Sequence, residues 1–389
     1  MTASVCDVTL VTDPRFSGGT AQAFASDVRA FLGAGMRVGV HFHHSGQFFQ
    51  DSDTDNRDLI ALLALDGIEI SPSRTQTLFL HNPQVFGAAQ IAASERPLRL
   101  PKCERLFMVA HHPPFLGNGA LCYDPVSTGR ALGRCIGHAR RMEWLPVSGL
   151  VRAQLRSFQP LIALAPEDWP NCFDITRWVP SRTRLSGPDI VIGRHGRAHP
   201  DKWPDTPAQI AASLPAGPHT QVQVLGADPE FFTARGIDTS DWVLLPFGAI
   251  DPVKFLDQLD LFSYFHSSGL REAFGRTVAE AMMMGLPCLL DQHLRPTFGA
   301  NATYARPDEV PAMIERIRSD PAPHLDRAAQ AAAWCRAQFS STQVVARYTR
   351  LMAAASLRFE RGDRSSPPGV TLKKWVGFHR RARSTRIAT

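Results

Sequence analysis

Residues 271–287 read Arg271-Glu272-Ala273-Phe274-Gly275-Arg276-Thr277-Val278-Ala279-Glu280-Ala281-Met282-Met283-Met284-Gly285-Leu286-Pro287. Glu272 and Glu280 stand eight positions apart, with a Phe-Gly turn between them that opens a helix. Glu272 then falls in the loop before the helix, and Glu280 about one and a half turns inside it. Backbone N–H groups from Gly275 through Arg276 to Thr277 have no intrahelical partner, so the helix start is an anion site. A diphosphate there, with a carboxylate on each side, suits a nucleotide-sugar: one acid for sugar hydroxyls, the other for ribose hydroxyls. Met282-Met283-Met284 reads as core packing, and Pro287-Cys288-Leu289-Leu290 as a buried strand.

Outward from that stretch the chain alternates between strand and helix patterns. Asp189–Ile192, ending at Gly193, reads as a strand, as do Val222–Gly226, Trp242–Leu245 and Leu261–Phe265. Near the N-terminus, Asp7–Thr12 is a β-rich run followed by a turn-rich loop ending Gly18-Gly19-Thr20. Ala21–Leu32 has helical spacing, with Phe24, Val28, Phe31 and Leu32 on one face, and Met36–Val40 is extended again. That is a βαβ unit. Leu78–Leu80 and Leu106–Ala110 are further strands that run into His81 and into His111-His112. Aromatic and proline-rich residues from Pro166 to Pro180 mark a connection between two α/β series. The expected organisation is an N-terminal domain over 1–178, a C-terminal domain over 179–340, and a closing segment, 341–389, of a returning helix and a basic tail.

Composition narrows the class. Of 389 residues, 44% are hydrophobic and 20% charged, ordinary for a globular protein. No run of about 18 apolar residues suggests a membrane span, and the first residues lack the basic-then-apolar pattern of a secretory signal. Seven cysteines without CxxC pairing argue against a disulfide framework or zinc ribbon, and for a reducing compartment. The formal net charge is +6, and residues 371–389 alone carry six basic side chains and no acid. The rest of the chain is therefore close to neutral, which excludes a basic nucleic-acid binder as the body of the protein. Gly18-Gly19 is not a Gly-x-Gly-x-x-Gly fingerprint, which counts against a nicotinamide dehydrogenase.

The Glu272-x7-Glu280 arrangement, within Glu-Ala-Phe-Gly, Glu-Ala-Met and Gly-Leu-Pro, resembles the signature of family 4 (group 1) glycosyltransferases of the GT-B fold. The likeness extends from about residue 7 to about residue 350. It implies two Rossmann-like α/β domains facing each other across a cleft, the first for the acceptor and the second for the donor. It implies retaining, metal-independent transfer of a sugar from a nucleotide-diphosphate sugar to a hydroxyl acceptor, with no cofactor. Glu272 would hold sugar hydroxyls and Glu280 the ribose. Such proteins carry a Gly-Arg after the first strand of the second domain and then a lysine, both contacting the pyrophosphate. Here Gly193-Arg194 and Lys202 correspond, at a longer spacing of eight residues. Arg197 is the other candidate partner, and Arg194 is favoured because it follows Gly193. Fixed cations there would stabilise the departing diphosphate. The resemblance further implies that Gly18 and Gly19 approach phosphates or acceptor, and that a strand-end histidine contacts the donor sugar. His112 is that candidate, with His111 as alternate and His81 as a second strand-end histidine. Phe274 and Gly248, in Pro246-Phe247-Gly248, complete the expected donor contacts.

Other features read differently. Asp51-Ser52-Asp53-Thr54-Asp55 contains Asp-x-Asp twice but lacks the glycine and glutamate of a calcium loop, and reads as a solvated acidic loop. Ser148 lacks a Gly-x-Ser-x-Gly elbow and reads as part of a strand-to-helix connection. In the tail, Leu372, Trp375, Val376 and His379 share a helical face among basic residues. That suits an anionic membrane surface, a disordered basic tail, or a helix crossing back onto the first domain. The expected partners are a nucleotide-sugar, a saccharide or lipid-linked acceptor in polysaccharide or glycoconjugate synthesis, and the cytoplasmic face of a membrane, without nucleic acid. A sugar-nucleotide epimerase and a non-catalytic nucleotide- or glycan-binding partner are the alternatives.

Overall fold

The computed structural model describes residues 5–50, 52–94, 96–135, 142–159, 161–354, 372–373, 375–377 and 379. It divides into two compact units, Met1–Phe173 with Ser341–Thr389, and Asp174–Ser340. Among the described residues no helix is long and apolar enough to cross a membrane.

The first unit is built on β1 (Cys6–Thr12), β2 (Val38–Phe42), β3 (Ile68–Ile70), β4 (Arg74–His81), β5 (Lys102–Ala110), β6 (Met142–Pro146) and β7 (Ala163–Leu164). They form one sheet in the order β3-β2-β1-β4-β5-β6-β7, and neighbouring strands are parallel. Helices cover both faces of such a sheet, so its strands are apolar on both sides. Leu78, Phe79 and Leu80 of β4 lie beside Leu106, Phe107 and Met108 of β5, and all six are buried. The Gly18–Gly33 helix buries Phe24, Val28 and Phe31 against this sheet, as the spacing predicts. It starts three residues earlier than expected, because Gly18 turns the chain at φ +62° and the glycine pair forms its first turn. The Gln343–Ala353 helix also belongs to this unit. Its Tyr348 ring meets Phe31 edge-on at 5.5 Å, and its hydroxyl lies 3.0 Å from Thr77 Oγ1. Burying one such aromatic side chain is worth about 2–3 kcal/mol.

The second unit is built on β8 (Ile190–His195), β9 (Thr220–Leu225), β10 (Trp242–Leu245), β11 (Leu261–Tyr264), β12 (Cys288–Leu290) and β13 (Thr303–Tyr304). Their order is β10-β9-β8-β11-β12-β13, again parallel. The strand at 190 does not end at Gly193 but runs through it to His195. A side chain at Gly193 would meet the Gln223 carbonyl oxygen at 2.3 Å and Leu259 at 2.8 Å, so the glycine serves close packing within the sheet. Ile192, Val222, Val224, Phe232, Leu261 and Leu289 form the core here. Both sheets reverse strand order once, between β1 and β4 and between β8 and β11. Crevices for ligands open at the carboxyl ends of strands at such reversals.

Candidate functional site

At the reversal in the second sheet, the loop after β8 meets the loop after β11. Ser267 N–H donates to the Asp201 carbonyl at 3.1 Å and ties the two loops together. Lys202 closes a 3-10 turn at Pro200–Lys202, and its ammonium donates to Glu272 Oε2 across 70 residues of sequence. Tyr264, the last residue of β11, donates its hydroxyl to the same oxygen at 2.7 Å and accepts from Lys202 at 3.3 Å. Burial alone would raise the Glu272 carboxyl, but the Lys202 charge and the bonds from Lys202 and Tyr264 prevail and hold it at about 2. Burial works against the Lys202 ammonium too, and the Glu272 charge lifts it above its ordinary value. Burial and the same carboxylate push the Tyr264 phenol up to about 12. The site thus holds an ionised Lys–Glu pair at neutral pH.

Glu280 sits on the Arg276–Met283 helix, which is set by its ends. Gly275 supplies the left-handed φ of +82° that starts it, and no side chain caps it. At its other end, Gly285 at φ +70° donates to the Met282 carbonyl and Leu286 donates to Ala281. That is the double bond of a glycine-terminated helix. Met282, Met283 and Met284 are buried core residues. Glu280 Oε1 lies 3.1 Å from Arg276 Nε, and Glu280 Oε2 lies 3.3 Å from His195 Nε2. Burial pushes the Glu280 carboxyl up to about 7 against the pull of Arg276. Burial and the neighbouring arginines push the His195 imidazole down to about 3, so it faces Glu280 uncharged. Thr277 Oγ1, in the first turn, is buried without a hydrogen-bond partner among the described residues.

Arg194 takes a different place from the one its sequence position suggests. Its guanidinium is buried, stacked 4.2 Å from the Trp203 ring centroid and 4.8 Å from that of Tyr264. It donates to the carbonyl oxygens of Phe265 and Lys202. Arg194 therefore braces the two loops from behind, while Arg197 is exposed on the β8 loop. Phe274 is also turned inward, packing on Phe339 at 5.1 Å and Phe298 at 6.2 Å, so it anchors the helix start. Gly248 lies in an exposed turn beyond β10, at φ +80°.

In the first unit, His111 points into the protein. Its Nε2 is 3.0 Å from Nδ1 of fully buried His81, whose Nε2 lies 3.9 Å from Asp27. His112 is half-buried, and its carbonyl accepts the Tyr123 hydroxyl at 2.8 Å. Gly18 and Gly19 open the helix after β1, and a side chain at Gly19 would meet open space within the described residues. Ser148 caps the Gly149–Arg156 helix through Val151 N–H, in line with a connecting role. Asp53 and Asp55 are held by Gln50 N–H and by His44, and Asp51 lies outside the described residues. Much of the tail lies outside them as well. Trp375 and His379 bond Asp124, whereas Leu372 and Val376 are exposed.

Three elements of the second unit escape a sequence reading. Tyr264 ends a strand whose apolar run marks it as core, and His195 falls beyond the strand end read at Gly193. His266 and His293, 27 residues apart, lie Nε2 to Nε2 at 2.7 Å.

No family model matches the chain, and no curated protein matches it. Solved structures do. HepE from Anabaena, in complex with UDP and glucose, is 16% identical, with a TM-score of 0.61 over 90% of this chain and 100% of its own. Sucrose-phosphate synthase from Thermosynechococcus elongatus is 14% identical at a TM-score of 0.56, over 90% and 99%. A glycosyltransferase from Rickettsia africae is 11% identical at 0.56, over 90% and 100%. Identities this low carry architecture and nothing finer, and the architecture is GT-B, two Rossmann-like α/β domains in one chain.

Proposed function

We propose that this protein is a retaining, metal-independent glycosyltransferase of the family 4 type, moving a sugar from a nucleotide-diphosphate sugar to a hydroxyl acceptor. One observation carries the reading: Lys202 and Glu272, distant in sequence, share a bond at the strand-order reversal of the second sheet, with Glu280 in the adjoining helix. In this reading Glu272 accepts from donor-sugar hydroxyls and Glu280 from the ribose. Lys202 turns from Glu272 to the diphosphate as its charge grows, with the helix start at Gly275-Arg276-Thr277 aimed at the same phosphates. Arg194 acts through the carbonyl of Lys202 and not on the donor, and Arg197 is the loop cation left for the phosphates. His112 contacts the donor sugar from the first domain, where Gly18 and Gly19 admit the acceptor. A donor phosphate oxygen accepts the acceptor's proton on the face the leaving group vacates, so no side-chain base is required.

The likeness to HepE, seen with UDP and glucose and with UDP-glucose, makes UDP-glucose the first donor to try. A saccharide or lipid-linked acceptor at the cytoplasmic membrane face fits the basic tail and its exposed Leu372 and Val376. The test is incubation of the full chain with UDP-glucose, with and without saccharide and lipid-linked acceptors, with products read by mass spectrometry and NMR. A glycosylated acceptor with the donor's anomeric configuration is the expected result. A new nucleotide-sugar formed without acceptor would make the protein an epimerase, and donor binding without turnover a non-catalytic partner.

A further inference from the structure

Beside Glu272, a hydrogen-bonded chain joins the loop after β12 to the loop after β11. Asp291 Oδ1 lies 2.8 Å from His293 Nδ1, the two Nε2 atoms of His293 and His266 lie 2.7 Å apart, and His266 Nδ1 lies 2.9 Å from the Ser267 carbonyl oxygen. Its hydrogens can be counted. A carbonyl only accepts, so His266 Nδ1 carries one. Asp291 also accepts the His293 backbone N–H at 3.0 Å. Burial raises the Asp291 carboxyl, but its bonds to His293 outweigh that and hold it below its ordinary value. It is therefore a carboxylate, and His293 Nδ1 carries a second hydrogen. Two nitrogens 2.7 Å apart need one hydrogen between them, neither none nor two. Three N–H bonds on two imidazoles leave one positive charge.

We propose that His266 and His293 share a single proton as a monocationic clasp, balanced by Asp291, and that this clasp positions the Glu272 loop for the donor. Gain or loss of one proton breaks a link in the chain. The groups that bear on His266 are Tyr264 of β11, Glu272 of its own loop, and Asp291 and His293 of the facing loop. Burial and His293 push the His266 imidazole down to about 4, so the second proton is refused at neutral pH. The loop that carries Glu272 is held elsewhere by Arg194 at Phe265 and by Asp201 at Ser267. The histidine bridge ties it to the β12 loop. Its consequence for donor binding rests on the function proposed above; the bridge does not.

Histidine-selective 15N NMR of the full chain at pH 7 tests the proton count. One ring of the pair doubly protonated and the other an Nδ1–H tautomer is expected, with assignment by His293→Gln; two neutral rings would overturn the clasp. Amide exchange of Ser267–Ala273 at pH 7, without ligand, tests the positioning. Exchange should quicken in His293→Phe and stay near wild type in His293→Gln, whose amide can donate to His266 but does not titrate. With UDP-glucose, Kd should rise about tenfold in His293→Phe, the scale of one hydrogen bond, and much less in His293→Gln. The pH dependence of Kd should flatten in His293→Gln. Equal exchange in both variants, or an unchanged pH profile in His293→Gln, would contradict the positioning role. An intact clasp by NMR in a protein that binds no nucleotide-sugar would fault the proposed function and leave the clasp standing.

Discussion

Each sheet presents a histidine pair at the carboxyl ends of its strands, and the two pairs are built oppositely. In the first unit, His81 and His111 lie 3.0 Å apart among aromatic side chains, with Phe24 edge-on to His81 at 5.1 Å. The nearby Asp27 is taken by Trp169 Nε1 at 2.8 Å and by Cys172, and His81 Nε2 has no hydrogen-bond partner among the described residues. Burial pushes His81 down to about 3, so that pair is neutral packing. In the second unit, Asp291 closes on His293, while the Lys202–Glu272 pair joins the loop after β8 to the His266 loop and the Arg276–Glu280 pair lies on the helix that follows it. The same topology therefore carries a neutral histidine pair in one unit and a chargeable one in the other, although the first unit also holds the Asp13–Arg15 ion pair just past β1. A crevice of fixed, paired charges is the one suited to a ligand that arrives with charge and leaves with more.

The largest expected effect falls on Lys202. Lys202→Ala should lower turnover about 100-fold, the scale of losing one fixed group aimed at developing charge, and should also lower Tm, because the buried Glu272 carboxylate loses its cation; an assay below the melting transition beside a melting curve checks it. Unchanged turnover in the folded variant would remove Lys202 from the mechanism. A smaller effect separates Glu280 from Glu272. Because burial raises Glu280 to about 7, ionising it opposes folding, and that cost grows as pH rises from its unfolded value near 4.5 through 7. Glu280→Gln should therefore raise Tm by several degrees at pH 8, about 2 kcal/mol, and leave it nearly unchanged at pH 4. Glu272→Gln should do the reverse and lower Tm at pH 7, since the Glu272 contribution is present above its unfolded pKa and is lost only as pH falls toward 2.

The first unit offers a converse. His81 is held neutral, so the unfolded chain takes up a proton that the fold refuses, and stability drops as pH falls from about 6.5 toward 3. His81→Phe should flatten that part of the stability–pH curve. A steeper curve in the variant would mean the first pair is charged as well, and the contrast between the units would be lost. The smallest effect belongs to Asp124→Ala. It removes the acceptor of Trp375 and His379, and should red-shift the Trp375 fluorescence component while costing about 1 kcal/mol or less.

Much of this was legible from residue order alone. Most of the longer strands announced themselves by β-rich or apolar runs, whereas Met142–Pro146, broken by Glu143 and a proline, showed no such run, and Ile68–Ile70, Ala163–Leu164 and Thr303–Tyr304 are too short to show a period. Glu272 and Glu280 stand out in the sequence because a helix start framed by glycines gives carboxylates at fixed spacing a chemical reason, and Lys202 because the resembled family carries a lysine after a Gly-Arg; the fold brings Lys202 to Glu272. Arg194 was read as a ligand, since a strand-end arginine shows no sign in sequence of the two rings that enclose it. Tyr264 was hidden in its strand for a related reason: the apolar run marks it as core, and only the fold brings it to Glu272. The His266–His293 bridge depends on β11 and β12 being neighbours in the sheet, a fact of topology that no local pattern encodes.

The central claim is that the chargeable crevice of the second unit binds a nucleotide diphosphate. Calorimetric titration of UDP, with GDP and ADP beside it, into the full chain and into Glu280→Ala tests it most directly. The account predicts micromolar binding of one nucleotide to the wild-type chain and its loss in the variant. Equal binding to both proteins, or none to either in the presence of an acceptor, would contradict it.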